Sequence, residues 1–299
     1  MFTADAHCDT LHQLERGRIP KMISKEALCR GGVGLQVFAL FNGNEPPLFN
    51  GIEQALYEIS LLPSLGISLW KDALPEIPPE GLFAVFSIEG AEILEDSLEA
   101  LSRFRREGVR MMNLTWNHEN SLAVPALVGK GGVKPFGRTM LEAMGREGVL
   151  ADVSHLNEDG FWDVLEFSRL PVVASHSCAR SLCDHPRNLT DQQIRALIET
   201  HGFMGINFCP SFLSEDEKAD LNTIADHIDH VAQMGGIHIL GMGSDFDGID
   251  GTPLGMENAS CYPALWEKLE KRGYNHKDIA AIAGENLYNV LRRGQEGIK

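Results

Sequence analysis

Short apolar runs alternate with amphipathic stretches along the whole chain. Runs rich in Val, Ile, Leu, Phe and Met fall at 3–8, 34–41, 83–88, 109–115, 149–154, 171–175, 203–208 and 238–243. Several are almost continuously apolar, the pattern of parallel strands covered on both faces. Between them, Leu98, Leu101 and Phe104 recur at helical spacing within 96–107, and Met140, Leu141 and Met144 share a face within 137–147. Thr190-Asp191-Gln192-Gln193 has the form of a capping box that opens a further helix. Ile224, Ile228 and Val231 line one side of 221–234, and helices are predicted at 262–272 and 277–292. Eight strands alternating with helices predict a single (β/α)8 TIM-type barrel domain over 1–299. A doubly wound open sheet is the alternative. It would gather its polar residues at one switch point, whereas here they follow nearly every strand. The stretches 44–48, 123–135 and 247–258 are predicted as barrel-top loops.

The polar residues that end these runs carry the chemistry. His7 and Asp9 are two apart at the end of the first run, so both side chains can reach one ion. The alternative is a buried His hydrogen-bonded to an Asp. Glu89 follows the apolar run 82–88, where a carboxylate is costly unless paired or metal-bound. It could cap a turn, or its two oxygens could bridge two ions. His155 and His176 each follow an apolar run and a Ser. Either alone reads as a satisfied core histidine; two in successive strands read as ligands. Two carboxylates and three imidazoles suit two zinc ions or similar divalent metals. Asp245, after the last run, is placed to shuttle protons, and Asp247 reads as a turn former. His12, His185, His201, His227, His230, His238 and His276 read as surface or helix residues. Lys130–Lys134 lacks the Ser or Thr of a phosphate loop, Asp245–Gly248 lacks the closing Glu of a calcium loop, and no G-x-S-x-G is present.

Charge narrows the partners. The formal net charge is −16, from 26 basic and 42 acidic residues, which argues against nucleic acid. The first residues show no secretory signal, and no apolar run reaches membrane-spanning length. No membrane partner and a cytoplasmic location are therefore expected. The six cysteines, Cys8, Cys29, Cys178, Cys183, Cys209 and Cys261, form no CxxC pair and read as free thiols in a reducing compartment.

The ordered set of motifs resembles the renal-type (membrane) dipeptidases, zinc metallopeptidases with a (β/α)8 barrel. The similarity runs through 4–10, 87–91, 152–156, 174–179, 243–249 and the helices at 262–272 and 285–291. The resemblance implies that His7 and Asp9 bind one zinc, that His155 and His176 bind the other, and that Glu89 bridges them beside a bridging water or hydroxide. It further implies that Arg187 holds the free carboxylate of a small dipeptide and that Asp245 is the acid/base. The reaction implied is dipeptide hydrolysis, with a D-residue at the C-terminal position an expected substrate feature and a homodimer the expected assembly. One departure stands out. The family pattern has Leu-Thr-His where this chain has Leu114-Thr115-Trp116, with His118 two residues further on. An indole N–H donates one hydrogen bond but cannot become a cation; Trp116 and His118 are the substrate-binding candidates there. Two other readings compete. One is a two-metal amidohydrolase acting on another small amide, a lactone or an N-acyl amino acid, against which stands the absence of a His-x-His opening. The other is a metal-stabilised binding protein that Trp116 has disabled as a catalyst.

Overall fold

The computed structural model describes residues 1–43 and 51–296. The predicted loop 44–48 lies outside the described residues. All eight apolar runs form strands, and a short ninth strand is added. They are β1 (Thr3–Asp5), β2 (Val33–Phe41), β3 (Ser68–Leu69), β4 (Phe83–Glu89), β5 (Val109–Asn113), β6 (Leu150–Asp152), β7 (Val173–Ala174), β8 (Phe203–Ile206) and β9 (Leu240–Met242). Every pairing is parallel, and the ring closes in the order β1, β2, β4, β5, β6, β7, β8, β9 and back to β1. The fold is thus the (β/α)8 barrel, not the open sheet. β3, unmarked by any apolar run, pairs only with the first two residues of β4 and stays outside the ring.

β2 and β4 fill their runs, while the other strands stop short of them. The reason lies in the polar residues at their ends. Asp5 accepts from the backbone N–H of Ser244 at 2.9 Å, and Asp152 accepts from those of Ser154 and Ser175 at 3.0 Å. These buried carboxylates take amides that a longer ladder would have used.

Alternation along the strands separates two apolar clusters. Ala84, Phe86 and Ile88 of β4 pack with helix residues such as Leu101, Phe104, Met140 and Ile194. Phe83 and Val85 pack instead with Leu35, Val37, Met111, Leu150 and Phe203 inside the ring. Leu287, Tyr288, Val290 and Leu291 of the helix Asn286–Glu296 join this inner cluster and close one end of it. By the same period of two, Ser87 and Glu89 continue the inner face of β4, and Phe41 continues that of β2. The pattern that fills the barrel thereby delivers Glu89 into its mouth.

The predicted helices appear as Leu98–Arg106, Pro135–Glu147, Asp191–Glu199, Leu221–Gln233 and Tyr262–Lys271, and the Thr190 capping box forms. The helix predicted over 277–292 is broken. His276–Ala280 and Asn286–Glu296 flank a π turn at Ala281–Glu285, where Gly284 packs so closely that a Cβ would lie 2.9 Å from Ala4 N.

Candidate metal centre and cavity

Glu89, His7, Asp9, His155, His176 and Asp245 meet at the C-terminal ends of the strands, the face where barrels of this kind place their chemistry. Glu89 sits at the middle. Its Oε2 is 3.6 Å from His7 Nε2, and its Oε1 is 2.7 Å from His155 Nε2 and 3.5 Å from His176 Nε2. The two distal imidazoles lie 3.0 Å apart at their Nε2 atoms. On the other side, His7 Nε2 is 3.4 Å from Asp9 Oδ2 and 3.9 Å from Asp245 Oδ1. Two groups, His7–Glu89–His176 and His7–Asp9–Asp245, each bring one ligand atom per residue within 4.8 Å of the others.

Outer residues hold these side chains. Asn117 Oδ1 lies 3.0 Å from His155 Nδ1, and Ser175 Oγ lies 2.7 Å from His176 Nδ1, so both rings turn Nε2 toward Glu89. Asn207 Nδ2 donates to Asp245 Oδ2 at 2.9 Å. Asp5 accepts from Ser244 Oγ at 2.6 Å and Tyr262 Oη at 2.8 Å, tying the end of β9 to β1 beside His7.

The charges do not balance among themselves. Burial opposes protonation of His7, but Glu89 and Asp9 facing it raise it well above the usual imidazole range. Burial would raise Glu89, yet His7 and His155 hold it well below the usual carboxylate range. Burial and the neighbouring Glu89 push Asp9 well up. Burial and Arg187 lower His155 to about 4, and burial and His7 hold His176 well down. His7 Nδ1 and Nε2 and Asp9 Oδ1 are buried without a hydrogen-bond partner. Unpaired imidazole and carboxylate atoms turned toward one another fit divalent cations as the missing partner.

Beside this cluster opens a cavity of about 270 Å³, lined among others by Asp9, Glu89, His155, Arg187, Asp245, Phe41, Trp116 and Asn117. Arg187 is 6 % exposed; its Nε donates to Ser154 O at 2.6 Å, its guanidinium lies 5.3 Å from the Phe212 ring centroid, and its Nη2 has no partner. Trp116 packs edge-on against Phe41 with centroids 4.8 Å apart. His118 packs against Trp116 rather than lining the cavity itself. The chain turns after β5, leaving His118 exposed beyond Trp116 at a 5.6 Å centroid distance. A larger cavity of about 720 Å³ sits at the opposite strand ends, by Phe2, Val33, Leu82 and Tyr288, remote from the ligand set.

Sequence reasoning passed over several of these residues. His12 and His227 are helical, as read, but neither is a surface residue: His12 lines the cavity and His227 is fully buried. His12 stands one helical turn past Asp9, which was the available signal. Asn207 lies just beyond β8, where the polar-after-strand pattern could have found it. Asp247 does organise a turn, accepting from Thr10 Oγ1 and from the amides of Lys21 and Met22. All six cysteines are free thiols, and among the described residues no helix is long and apolar enough to cross a membrane.

A model of the membrane dipeptidase family (peptidase family M19) matches residues 1–297. An uncharacterized dipeptidase of Schizosaccharomyces pombe is 37% identical over 218 residues, 71% of this chain and 53% of that protein. Dipeptidase 3 of Rattus norvegicus is 30% identical over 300 residues, 96% of this chain and 60% of the relative. The chain thus spans between about half and three-fifths of the length of these relatives. Among solved structures, a metallo peptidase from Rhodobacter sphaeroides, liganded with a phosphinate mimic of the dipeptide L-Ala-D-Ala, superposes with a TM-score of 0.90. It is 26% identical, over 98% of this chain and 99% of that one.

Proposed function

The chain belongs to the membrane dipeptidase family, and on that footing we propose that it is a metal-dependent dipeptidase. One observation carries this reading above the others. Arg187, buried and with Nη2 unpartnered, shares a 270 Å³ cavity with Glu89, His155 and Asp245. A buried guanidinium beside a hydrolytic cluster suits a small substrate with a free carboxylate. The cavity is at the small end for ligand sites, which favours a dipeptide over a longer chain.

His7 with Asp9, and His155 with His176, would hold two zinc ions, with Glu89 shared between them. Bound there, such ions supply a Lewis acid and a water of lowered pKa. The chain's own residues do the rest. Arg187 has spent Nε on Ser154 O, so its terminal nitrogens remain for the substrate carboxylate. Asp245 is held by Asn207 at Oδ2, leaving Oδ1 to take a proton and return it to the leaving nitrogen. Phe41 and Trp116 wall the cavity and exclude water, and Trp116 adds at most one N–H where the family pattern has an imidazole. The L-Ala-D-Ala mimic in the Rhodobacter sphaeroides structure supports a substrate with a D-residue at its C-terminal position. The six free thiols support a reducing, cytoplasmic setting.

The test is metal content by elemental analysis, run beside hydrolysis of L-Xaa-D-Xaa and L-Xaa-L-Xaa dipeptides. About two zinc per chain with turnover is the expected result. Two metals without dipeptide turnover would move the reading to another small amide or ester. No metal, even after reconstitution, would overturn it.

A further inference from the structure

Arg187 stands on a loop that is closed upon itself. Leu189 N donates to Cys178 O at 2.9 Å, Arg180 N donates to Leu189 O at 2.8 Å, and Cys178 N donates to Asn188 Oδ1 at 3.1 Å. The ring beside the guanidinium comes from elsewhere, since Phe212 belongs to the short helix Pro210–Leu213. Ser154 O holds one edge of the guanidinium at Nε, and its place against the Phe212 ring depends on loop and helix being fixed to each other.

His227 joins them. It is fully buried midway along the helix Leu221–Gln233 and does not line the cavity. Its Nδ1 accepts from Ala179 N at 3.1 Å, at the base of the Arg187 loop, and its Nε2 donates to Leu213 O at 3.0 Å. A backbone amide only donates and a carbonyl only accepts, so the ring is the neutral Nε2–H tautomer. Burial lowers its affinity for a proton and keeps it in that form. A buried imidazole with both nitrogens spent on backbone is a bracket, and the two segments it brackets carry Arg187 and Phe212.

We propose that His227 is a positioning residue for carboxylate recognition, latching the Arg187 loop to the Phe212 helix so that the guanidinium is in place before substrate arrives. The inference rests on the reading of Arg187 given above. Asn188 Nδ2 supplies a second tie, to Phe212 O at 2.7 Å, so losing His227 loosens the pair without releasing it.

The experiment compares wild type, H227L, H227N and H227Q on one free dipeptide and on the same dipeptide as its C-terminal amide, each well below its melting temperature. In H227L the KM for the free dipeptide rises about tenfold with kcat within about twofold, while the amide, having no carboxylate to place, is unaffected. H227N, which keeps an acceptor toward Ala179 N but gives up Leu213 O, opens the bracket at its other end and shows the same split between free dipeptide and amide. Should H227L fail to fold, H227Q, whose amide reaches Leu213 O at the expense of Ala179 N, takes its place with the same expectation. Equal impairment of both substrates, or a free-dipeptide KM unchanged in H227L and H227Q, overturns the proposal. A wild type that cleaves amide and free dipeptide alike overturns the Arg187 reading itself, and this inference with it.

Discussion

Gly248 makes the steric demand that bears most directly on the carboxylates of the site. A Cβ there would lie 1.9 Å from Asp9 Oδ2 and 2.6 Å from Asp245 Oδ1, whereas real Cβ contacts essentially never fall below 3.0 Å. Gly248→Ala must therefore drive the Asp9 carboxylate back by more than 1 Å or lift the turn that carries residue 248. Neither part yields easily. Asp9 is 5 % exposed and its N–H is bonded to Phe246 O at 2.9 Å. Gly248 N donates to Asp245 O at 3.0 Å, and the adjoining Asp247 is fixed by Thr10, Lys21 and Met22. The strain falls on the two carboxylates beside His7. Displacing a reacting or ligating group by about 1 Å costs on the order of 100-fold in rate. Gly248→Ala is thus expected to lose about 100-fold in kcat/KM and to retain less metal after dialysis. Its melting temperature should change by only a few degrees, because Gly248 itself is exposed. Gly251→Ala, in the same loop with nothing within 4 Å of its Cβ, is the control and should stay within about twofold of wild type. The assay is initial-rate dipeptide hydrolysis with metal content measured on the same samples. If Gly248→Ala keeps full metal and more than about a third of wild-type activity, the placement of Asp9 and Asp245 is not what the site depends on, and the reasoning fails.

Glu89→Gln removes the charge that faces three imidazoles; turnover should fall by at least ~10³-fold with weakened metal retention, and near-normal turnover at full metal occupancy would count against a shared ligand. Arg187→Met keeps the bulk and deletes the fork, so KM for free dipeptides should rise about 100-fold while dipeptide amides are cleaved as before; a uniform loss on both would place Arg187 in structure rather than recognition. The His227 ring is lowered from its ordinary value of 6.5, chiefly by burial. As pH falls below 6.5 the unfolded chain takes up this proton before the folded one, so its contribution to stability is whole above that pH and is lost on acidification. The stability gap between wild type and His227→Gln, read from urea midpoints, should therefore narrow between about pH 7.5 and pH 5.5; a constant gap would mean the ring is not held neutral.

The barrel was legible because its strands are buried on both faces, which writes them as apolar runs whatever their exact ends. The ends themselves were not, since Asp5 and Asp152 take backbone amides with their side chains and shorten β1, β6 and β7 in a way no periodicity encodes. β3 is two residues long and lies at the ring's edge, too short to carry a period. The π turn at Ala281–Glu285 arises from close packing of Gly284 against the first strand, a tertiary contact absent from any local pattern. Within the site, the residues that stood out were those whose type is costly at a strand end: His7, Asp9, Glu89, His155, His176 and Asp245. Residues that act through another group were silent. Asn117, Asn207 and His227 are ordinary polar residues until the fold sets each against one particular partner. Gly248 is an extreme case, because its contribution is the absence of an atom.

Electrostatics connects the cluster to the substrate. Among the described residues lining the cavity, Asp9, Glu89, Asp245 and Asp250 are acidic, and Arg187 is the only arginine or lysine. His155 is held near 4 by burial and Arg187, and His12 near 4 by burial and Arg16, so neither offsets that charge around neutral pH. The rise of His7 against its burial has the same source, the negative charge of Glu89 and Asp9. A substrate carboxylate entering such a cavity meets repulsion from every acid and attraction from one guanidinium. In a site of lowered effective dielectric, one cation does not neutralise several anions. On the proposed reading the ligand set would do double service: cations held there would act on the scissile bond and also permit an anionic substrate to approach Arg187. Trp116 would make that dependence stricter on this reading, since an indole cannot lend the positive charge an imidazole could. The −16 net charge points the same way, because nothing in the overall balance of the chain draws an anion toward the barrel mouth. If the proposed function holds, recognition of the carboxylate and loading of the metal centre would be parts of one electrostatic arrangement, with Arg187 as its fixed positive charge.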